Sequence, residues 1–577
     1  MTSKTPQFDK ALDEYFEKLE LDEKGGQWRT CRFSGEKFYI RPEDIEFYKK
    51  IRVPLPTLSP RERIRRKLAF YNSHNLFYVK SALTGKDILS NYLPSTSHKI
   101  YEHHSWFGGE WEPMEYARDY DFGKKFFDQF REHALNVPRP SLIVDSSSVN
   151  SEYTNDAFNL KNCYLVFFSM ESEDSSYSID LRHSRGCLDC FTLINSQECY
   201  DSFVGHNLYR CFFTEFSRDC MDSYFLFDCR NCKDCFGGTN LRNKKYVFFN
   251  EQLTKDDYEK KLLGINLGNR DILNSYKNKF EELKKSAIYK PDHNERSINS
   301  YGDFIVRSKD IFASYFMYDS ENTTYSIGGL GVRDSYDTIS VETEFSYESG
   351  SSRAYHVLFC CEVWDSRDLE YCNLCINCHD CFGSIGLVNK SFCIFNKQYS
   401  EENYWRTIDE IKAEMLKDKE YGEFFSPDIS FFPYNASLAT SYKGYDDIEN
   451  ARKYGYTFQE VPEYFGSSSG DVVKVEDLPK NIKDVQDDIL DKIIVDSNNK
   501  KFKYIKPEID FYRKNNLPLS QKHFSERLRE KRMKLGSIAI EFFARICPKC
   551  GIKFETVYPP EDERIVYCKP CYLKEIV

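Results

Sequence analysis

Residues 231–260 read NCKDCFGGTNLRNKKYVFFNEQLTKDDYEK, and 146 positions later residues 377–406 read NCHDCFGSIGLVNKSFCIFNKQYSEENYWR. Cys232 pairs with Cys378, Asp234 with Asp380, Cys235 with Cys381, Gly237 with Gly383, Asn243 with Asn389, Asn250 with Asn396 and Tyr258 with Tyr404. Upstream the match continues with Tyr177 on Tyr325, Arg185 on Arg333 and Asp189 on Asp337. A self-match of this length means a duplicated fold, and no other feature restricts the architecture so strongly. Each copy ends in a strand-like run and a short helix, with Thr254 and Ser400 as N-caps.

A finer period runs inside each copy. SRGCLDCF, SQECYDSF, SRDCMDSY and CRNCKDCF place a small residue, a cysteine, then cysteine or serine and an aromatic, with central cysteines Cys187, Cys199, Cys220 and Cys232 and a weaker member at Cys211. The spacing predicts a unit of 21–24 residues formed from two motifs. That suits one coil of a parallel β-helix; a compact antiparallel β-sandwich of short strands is the other reading. Aromatic residues make up 16% of the chain, which suits pleated, half-buried surfaces.

The stretch YCNLCINCHDCFG sets Cys372, Cys375, Cys378 and Cys381 at three-residue intervals. Ligands of an iron–sulfur cluster are not exchangeable, because each iron needs its own sulfur. Here the slots of Cys190 and Cys235 are filled by Ser202 and Ser223 in neighbouring units, and Leu226 stands where the second copy has Cys372. A slot that exchanges cysteine for serine asks only for a small, weakly polar side chain, and cysteine packs there as a small hydrophobe. The quartet therefore reads as core.

The two ends of the chain are also related. FYIRPEDIEFYKKIRVPLPTLSPRERIRRK near the N-terminus aligns with FKYIKPEIDFYRKNNLPLSQKHFSERLREKRM near the C-terminus, pairing Phe47 with Phe511, Tyr48 with Tyr512, Pro54 with Pro518, Leu55 with Leu519 and Arg63 with Arg527. The C-terminal copy runs on into Cys547, Cys550, Cys568 and Cys571, two CxxC pairs with Gly551 after the first. Two short knuckles of thiolates are the donor set of a structural Zn2+, so one zinc site is expected there. In the N-terminal copy the four positions are Ser81, Thr84, Glu102 and Ser105, with His103 and His104 read as an exposed pair beside them. A second knuckle pair upstream reads Cys31, Ser34, Ser59 and Glu62, a ribbon stripped of all ligands but one, and its C-terminal counterpart has Val495, Asn498, His523 and Glu526. The expected metal is therefore confined to the C-terminal module.

The resulting fold class is mainly β with peripheral helices: a duplicated parallel β-helix or solenoid-like centre flanked by two related zinc-ribbon-like modules. Its expected parts are an amphipathic helix over 1–27, a degenerate ribbon module over 28–135, solenoid copies over 145–263 and 293–418, a helical linker over 264–292, an irregular connector over 419–491 and an intact ribbon module over 492–577. The GSSSG at 466–470 reads as a flexible linker.

PEDIEFYKKIRVPLPTLSP, DFGKKFFDQF, NKKYVFFNEQLTKDDY, FFPYNASLA and YCKPCYLKEIV together resemble a family of zinc-ribbon proteins from candidate phyla radiation (Patescibacteria) bacteria. The resemblance spans most of the chain and implies a structural zinc, but no particular activity. The family's N-terminal knuckles carry full CxxC pairs; Ser34, Ser59, Glu62, Ser81, Thr84, Glu102 and Ser105 depart from that pattern.

The formal net charge is −11, which argues against coating nucleic acid over the whole surface but leaves room for local basic patches. No apolar run approaches the ~18 residues of a membrane span, and the N-terminus lacks the features of a signal peptide. A cytoplasmic protein with reduced cysteines is expected.

Two functional readings follow. The first is a non-enzymatic scaffold or adaptor binding RNA or a ribonucleoprotein through Arg61, Arg63, Arg65, Arg66 and Lys67 at one end and Arg527, Arg529, Lys531, Arg532 and Lys534 at the other. The competing structural reading makes these segments solvated helix faces partnered by Glu62, Glu526 and Glu530. The second functional reading is a polysaccharide-active enzyme using the recurring Asp189, Asp201, Asp222, Asp234 and Asp380. Regular repetition favours a structural ladder over a catalytic pair. No GxxxxGK[ST] or HExxH motif is present.

Overall fold

In the computed structural model, which describes residues 3–72, 74–462, 470–539 and 541–576, the centre consists of two parallel β-solenoids. Apart from Gly470, the GSSSG segment lies outside the described residues. The strands of the first solenoid run from Thr154–Phe158 to Glu251–Gln252, and those of the second from Tyr301–Val306 to Lys397–Gln398. Sequential strands pair in parallel, so the β-helix reading holds over the sandwich.

The coil is shorter than the spacing predicts. Cys211 pairs with Ser223 and Lys233 with Lys245, so one turn takes 12 residues and not 21–24. The reason lies in the backbone. Through most of both solenoids every third residue has a positive φ, as at Asp189, Thr192, Asn195, Glu198 and Asp201. A coil is thus four three-residue sides joined at left-handed corners. Left-handed φ costs an ordinary L-residue roughly 1–2 kcal/mol, and least for Asn and Asp. That preference accounts for the recurring Asp189, Asp201, Asp222 and Asp234, which are corner residues. The nine-residue step from Cys211 to Cys220 keeps phase because it adds whole sides.

The residue following each corner points inward. Cys187, Cys190, Cys199, Ser202, Cys211 and Ser223 are all buried in this way. The Cys190 thiol donates to the Leu188 carbonyl at 3.3 Å, and the Ser202 hydroxyl donates to the Tyr200 carbonyl at 3.1 Å. The two side chains are interchangeable because each satisfies itself on the carbonyl two residues back. Cys372, Cys375, Cys378 and Cys381 are the four inward positions of one complete turn, packed with Val357, Val363, Leu369 and Leu387. The quartet is core.

Outward aromatics stack from coil to coil, as in Phe212, Tyr224, Phe236 and Phe248, whose ring centroids are 4.9, 5.8 and 5.3 Å apart. Each solenoid ends in an antiparallel hairpin and a capped helix, Lys255–Leu263 or Glu401–Lys417. Thr254 and Ser400 accept from the backbone N–H of Asp257 and Asn403. This closure covers a strand edge that would otherwise invite pairing with another chain.

The terminal modules dock crosswise. Ile45, Tyr48 and Leu58 of the N-terminal module share an apolar core with Tyr336, Tyr347 and Phe359 of the second solenoid. Ile509, Tyr512 and Leu528 of the C-terminal module share one with Tyr177, Tyr200 and Phe213 of the first. The chain is an internal pseudo-dimer in which each module sits on the solenoid farther along the sequence from it. Among the described residues no helix is long and apolar enough to cross a membrane.

Candidate metal centre and anion recess

The strands Phe543–Ile546 and Lys553–Thr556 form an antiparallel hairpin whose turn carries the first CxxC pair. Gly551, at φ 75°, closes the knuckle by donating its N–H to the Cys547 carbonyl at 2.9 Å. Cys568 and Cys571 enter from the start of helix Lys569–Ile576. The four sulfurs lie within 4.8 Å of one another, with Cys550 Sγ and Cys568 Sγ 3.6 Å apart. The Cys568 N–H points at Cys547 Sγ at 3.4 Å, a contact that favours thiolate. Four converging thiols with no apolar filling between them suit one soft or borderline metal ion.

In the N-terminal module the same hairpin is built from Phe77–Lys80 and Asp87–Ser90. There the Ser81 hydroxyl donates to Glu102 Oε2 at 2.6 Å, and Thr84 donates to the same carboxylate. Glu102 is the hub of this turn, where the C-terminal module has its converging thiols. The rings of His103 and His104 lie 3.9 Å apart; His103 is half-buried and held down at about 4 by burial and its neighbour.

The basic segments do not form open patches. Arg63, Arg65, Arg66 and Lys67 on helix Pro60–Leu68 are only 1–3% exposed. Arg63 reaches Asp337 at 3.0 Å, Arg66 reaches Glu348 at 2.9 Å and Glu423 at 3.2 Å, and Arg65 pairs with Glu62 at 2.7 Å. Arg61 pairs with Glu541. On helix Phe524–Met533, Arg527 pairs with Asp189 and Glu508, Lys531 with Asp201 at 2.9 Å, and Arg532 lies against the His74 ring. Lys534 pairs with Glu215 at 2.6 Å; Arg529 is exposed. Phosphate contacts do not fit the buried Arg63, Arg65, Arg66, Lys67, Arg527, Lys531 and Arg532; Arg529 and Lys534 keep exposed side chains. Arg63, Arg66, Arg527, Lys531 and Lys534 pair with solenoid carboxylates and so help dock each module, and a buried guanidinium cannot leave its carboxylate without exposing an unpaired charge.

The Asp row is spent in the same way. Asp189 and Asp201 serve the docking, Asp222 faces Arg210 at 3.5 Å and Asp380 faces His379 at 2.8 Å. Burial pushes Asp234 up, but it remains one corner among many.

A different basic site emerges beside the tetracysteine hairpin. Helix Lys569–Ile576 docks on the first solenoid through Tyr572, which meets Asp228 and accepts from Arg242 at 2.9 Å. Between helix and solenoid lies a recess of about 260 Å³. Arg218, Arg230, Lys290, Arg296 and Lys569 line it against only Asp292 and Glu295. One carboxylate, Glu295, is shared by Arg218 and, at 2.7 Å, Arg230. Burial, then the nearby Arg230, pull the Arg218 guanidinium down, as crowded positive charge should. Arg296 and Lys569 are exposed at the rim. The linear sequence does not single out these residues. Their signal is Arg218, Arg230 and Arg242 on adjacent 12-residue coils, visible only once the coil length is known.

No family model matches the chain, and no curated protein matches it. Among solved structures, one provisionally described as an acetyltransferase from Desulfovibrio desulfuricans G20 is 8% identical over 40% of this chain, with a TM-score of 0.11. This chain spans 63% of that structure's length, and at that TM-score the likeness carries no argument about fold or activity.

Proposed function

We propose that the protein is a non-catalytic scaffold or adaptor, stabilised by one zinc ion at Cys547, Cys550, Cys568 and Cys571, that engages RNA or a ribonucleoprotein. Membership of the candidate-phyla zinc-ribbon family is part of this reading. The observation that carries it is the recess of five cations and two carboxylates walled by the ribbon's own helix. Zinc fits the thiolate set and would hold that helix in place. The excess positive charge is concave and partly desolvated, where a phosphate gains more than on a flat surface.

The test is the RNA carried by native protein purified at low salt, measured again after a high-salt wash. Salt-released RNA in stoichiometric amount is expected. The Arg296→Glu/Lys569→Glu variant should bind RNA more weakly and shallow the salt dependence by about two phosphate contacts. No RNA on the wild-type protein overturns the reading.

A further inference from the structure

The pseudo-dimer is closed on one side and open on the other. Where the two solenoids meet, the His293 ring lies between Phe216 at 4.6 Å and Phe304 at 4.4 Å, stacked on both. The duplication maps Phe216 onto Glu362 and Phe304 onto Asp156. All four are left-handed corners, with φ of 50° to 56°. The symmetry-related contact therefore faces two carboxyl groups across the gap where its mate has an aromatic sandwich.

That gap is a cavity of about 270 Å³. Besides Asp156 and Glu362, its walls include Phe168, Phe316, Trp364 and Tyr442. Among the described residues neither carboxylate has an ion-pair partner; Asp156 receives only the Asn155 amide at 3.0 Å. The nearby cations, Arg182 and Arg139, form no ion pair with either acid, although the Arg139 charge opposes the rise at Glu362. Arg182 donates to Asp180 at 2.9 Å and lies over the Tyr318 ring, while Arg139 donates to Asn373 at 2.8 Å and stacks on Phe431. Both acids are half-buried, so each keeps surface toward the cavity.

We propose that this cavity binds a small organic ammonium ion, its charge between Asp156 and Glu362 and its apolar body against the aromatic walls. Two acids without an ion-pair partner in a largely apolar enclosure are costly when ionised, and a bound ammonium supplies a close positive charge. Aromatic faces add cation–π attraction. Burial lifts the Asp156 carboxyl to about 7; burial, then Asp156, lift that of Glu362 well above its usual range. The unliganded pair therefore retains protons near neutrality, and a cation must displace them. Binding should release protons and strengthen as pH rises.

The experiment is calorimetric titration of the full chain with phenethylamine and with its neutral isostere 2-phenylethanol, at pH 7.5 in two buffers of different ionisation enthalpy. The amine should bind at least tenfold more tightly than the alcohol and release protons. Asp156→Asn and Glu362→Gln should each weaken it by roughly tenfold or more, the loss of a charged hydrogen bond. Glu362→Phe copies Phe216 of the closed side, which shows that such a side chain is tolerated at this corner, and should abolish binding. Equal binding of amine and alcohol, no binding of the amine, or unchanged affinity in folded Asn, Gln or Phe variants overturns the proposal. None of these outcomes depends on RNA.

Discussion

Arg63 and Asp337 meet at 3.0 Å with both side chains almost wholly excluded from solvent, and the duplicated positions Arg527 and Asp189 form the same pair at the other end of the molecule. The carboxylates around each pair repeat as well. Asp44 accepts from Tyr325 at 3.3 Å, and Glu508 accepts from Tyr177 at 3.0 Å. Each terminal module is thus keyed to its solenoid by a buried guanidinium at the same duplicated position, and the N-terminal one adds Arg66 on Glu348.

Removing that guanidinium leaves the buried Asp337 without its close partner, with the Lys67 ammonium 3.9 Å away. Arg63→Ala should destabilise the protein by about 3–5 kcal/mol, and Arg527→Ala by a similar amount, in urea unfolding. Arg529→Ala, at an exposed side chain, should change stability by less than about 0.5 kcal/mol. Equal effects at Arg63 and Arg529 would contradict the docking role.

The solenoid slots predict a contrast among cysteines. Cys375 donates to the carbonyls of Asn373 and Ser384, both at 3.5 Å, and serine makes the same bonds elsewhere. Cys375→Ser should cost no more than about 1 kcal/mol and leave bound metal unchanged. Cys375→Leu overfills a complete coil and should cost about 1–3 kcal/mol. Loss of metal from Cys375→Ser, by elemental analysis, would return the quartet to the list of metal sites.

At the ribbon the same substitution should act differently. The purified chain should hold one metal ion, and Cys571→Ser should lose it. A chelator should remove hydrogen-exchange protection from the amides of 543–556 while those of strands Tyr209–Glu215 and Met221–Phe227 stay protected. Uniform loss of protection would mean that the ribbon and the solenoid unfold as one unit.

Acid should weaken the fold through buried histidine. His133 is 1% exposed and shares a hydrogen bond with Asn396 at 3.3 Å; burial holds it down at about 4. Its folded pKa is depressed, so below about 6.5 the unfolded chain takes up a proton that the folded chain refuses until about pH 4. Stability should be full above pH 6.5 and fall toward pH 4, by on the order of 3 kcal/mol for this group. His206, also held down at about 4 by burial, adds to the same trend. In His133→Gln the slope of stability against pH over this range should flatten, as read by urea midpoints at several pH values.

Much of the architecture is local, and local physics is written in sequence. The duplication, the core role of Cys372 to Cys381, the N-caps Thr254 and Ser400 and the two CxxC knuckles each depend on neighbours within a few residues or one coil. Coil length is not legible in the same way, because the αL corner every third residue is a backbone property, and Phe, Asp and Glu all occupy it. Which surface each charged residue meets is fixed by long-range packing. Arg63 reads as a solvated or phosphate-facing cation until Asp337 is brought to it from the second solenoid. Arg218, Arg296 and Lys569 become one recess only when the ribbon docks, and Asp156 meets Glu362 only when the two solenoids stand side by side. Short-range preference is set by the sequence alone; a charge's partner, and so its energy and its role, depends on groups far along the chain that the fold alone brings near.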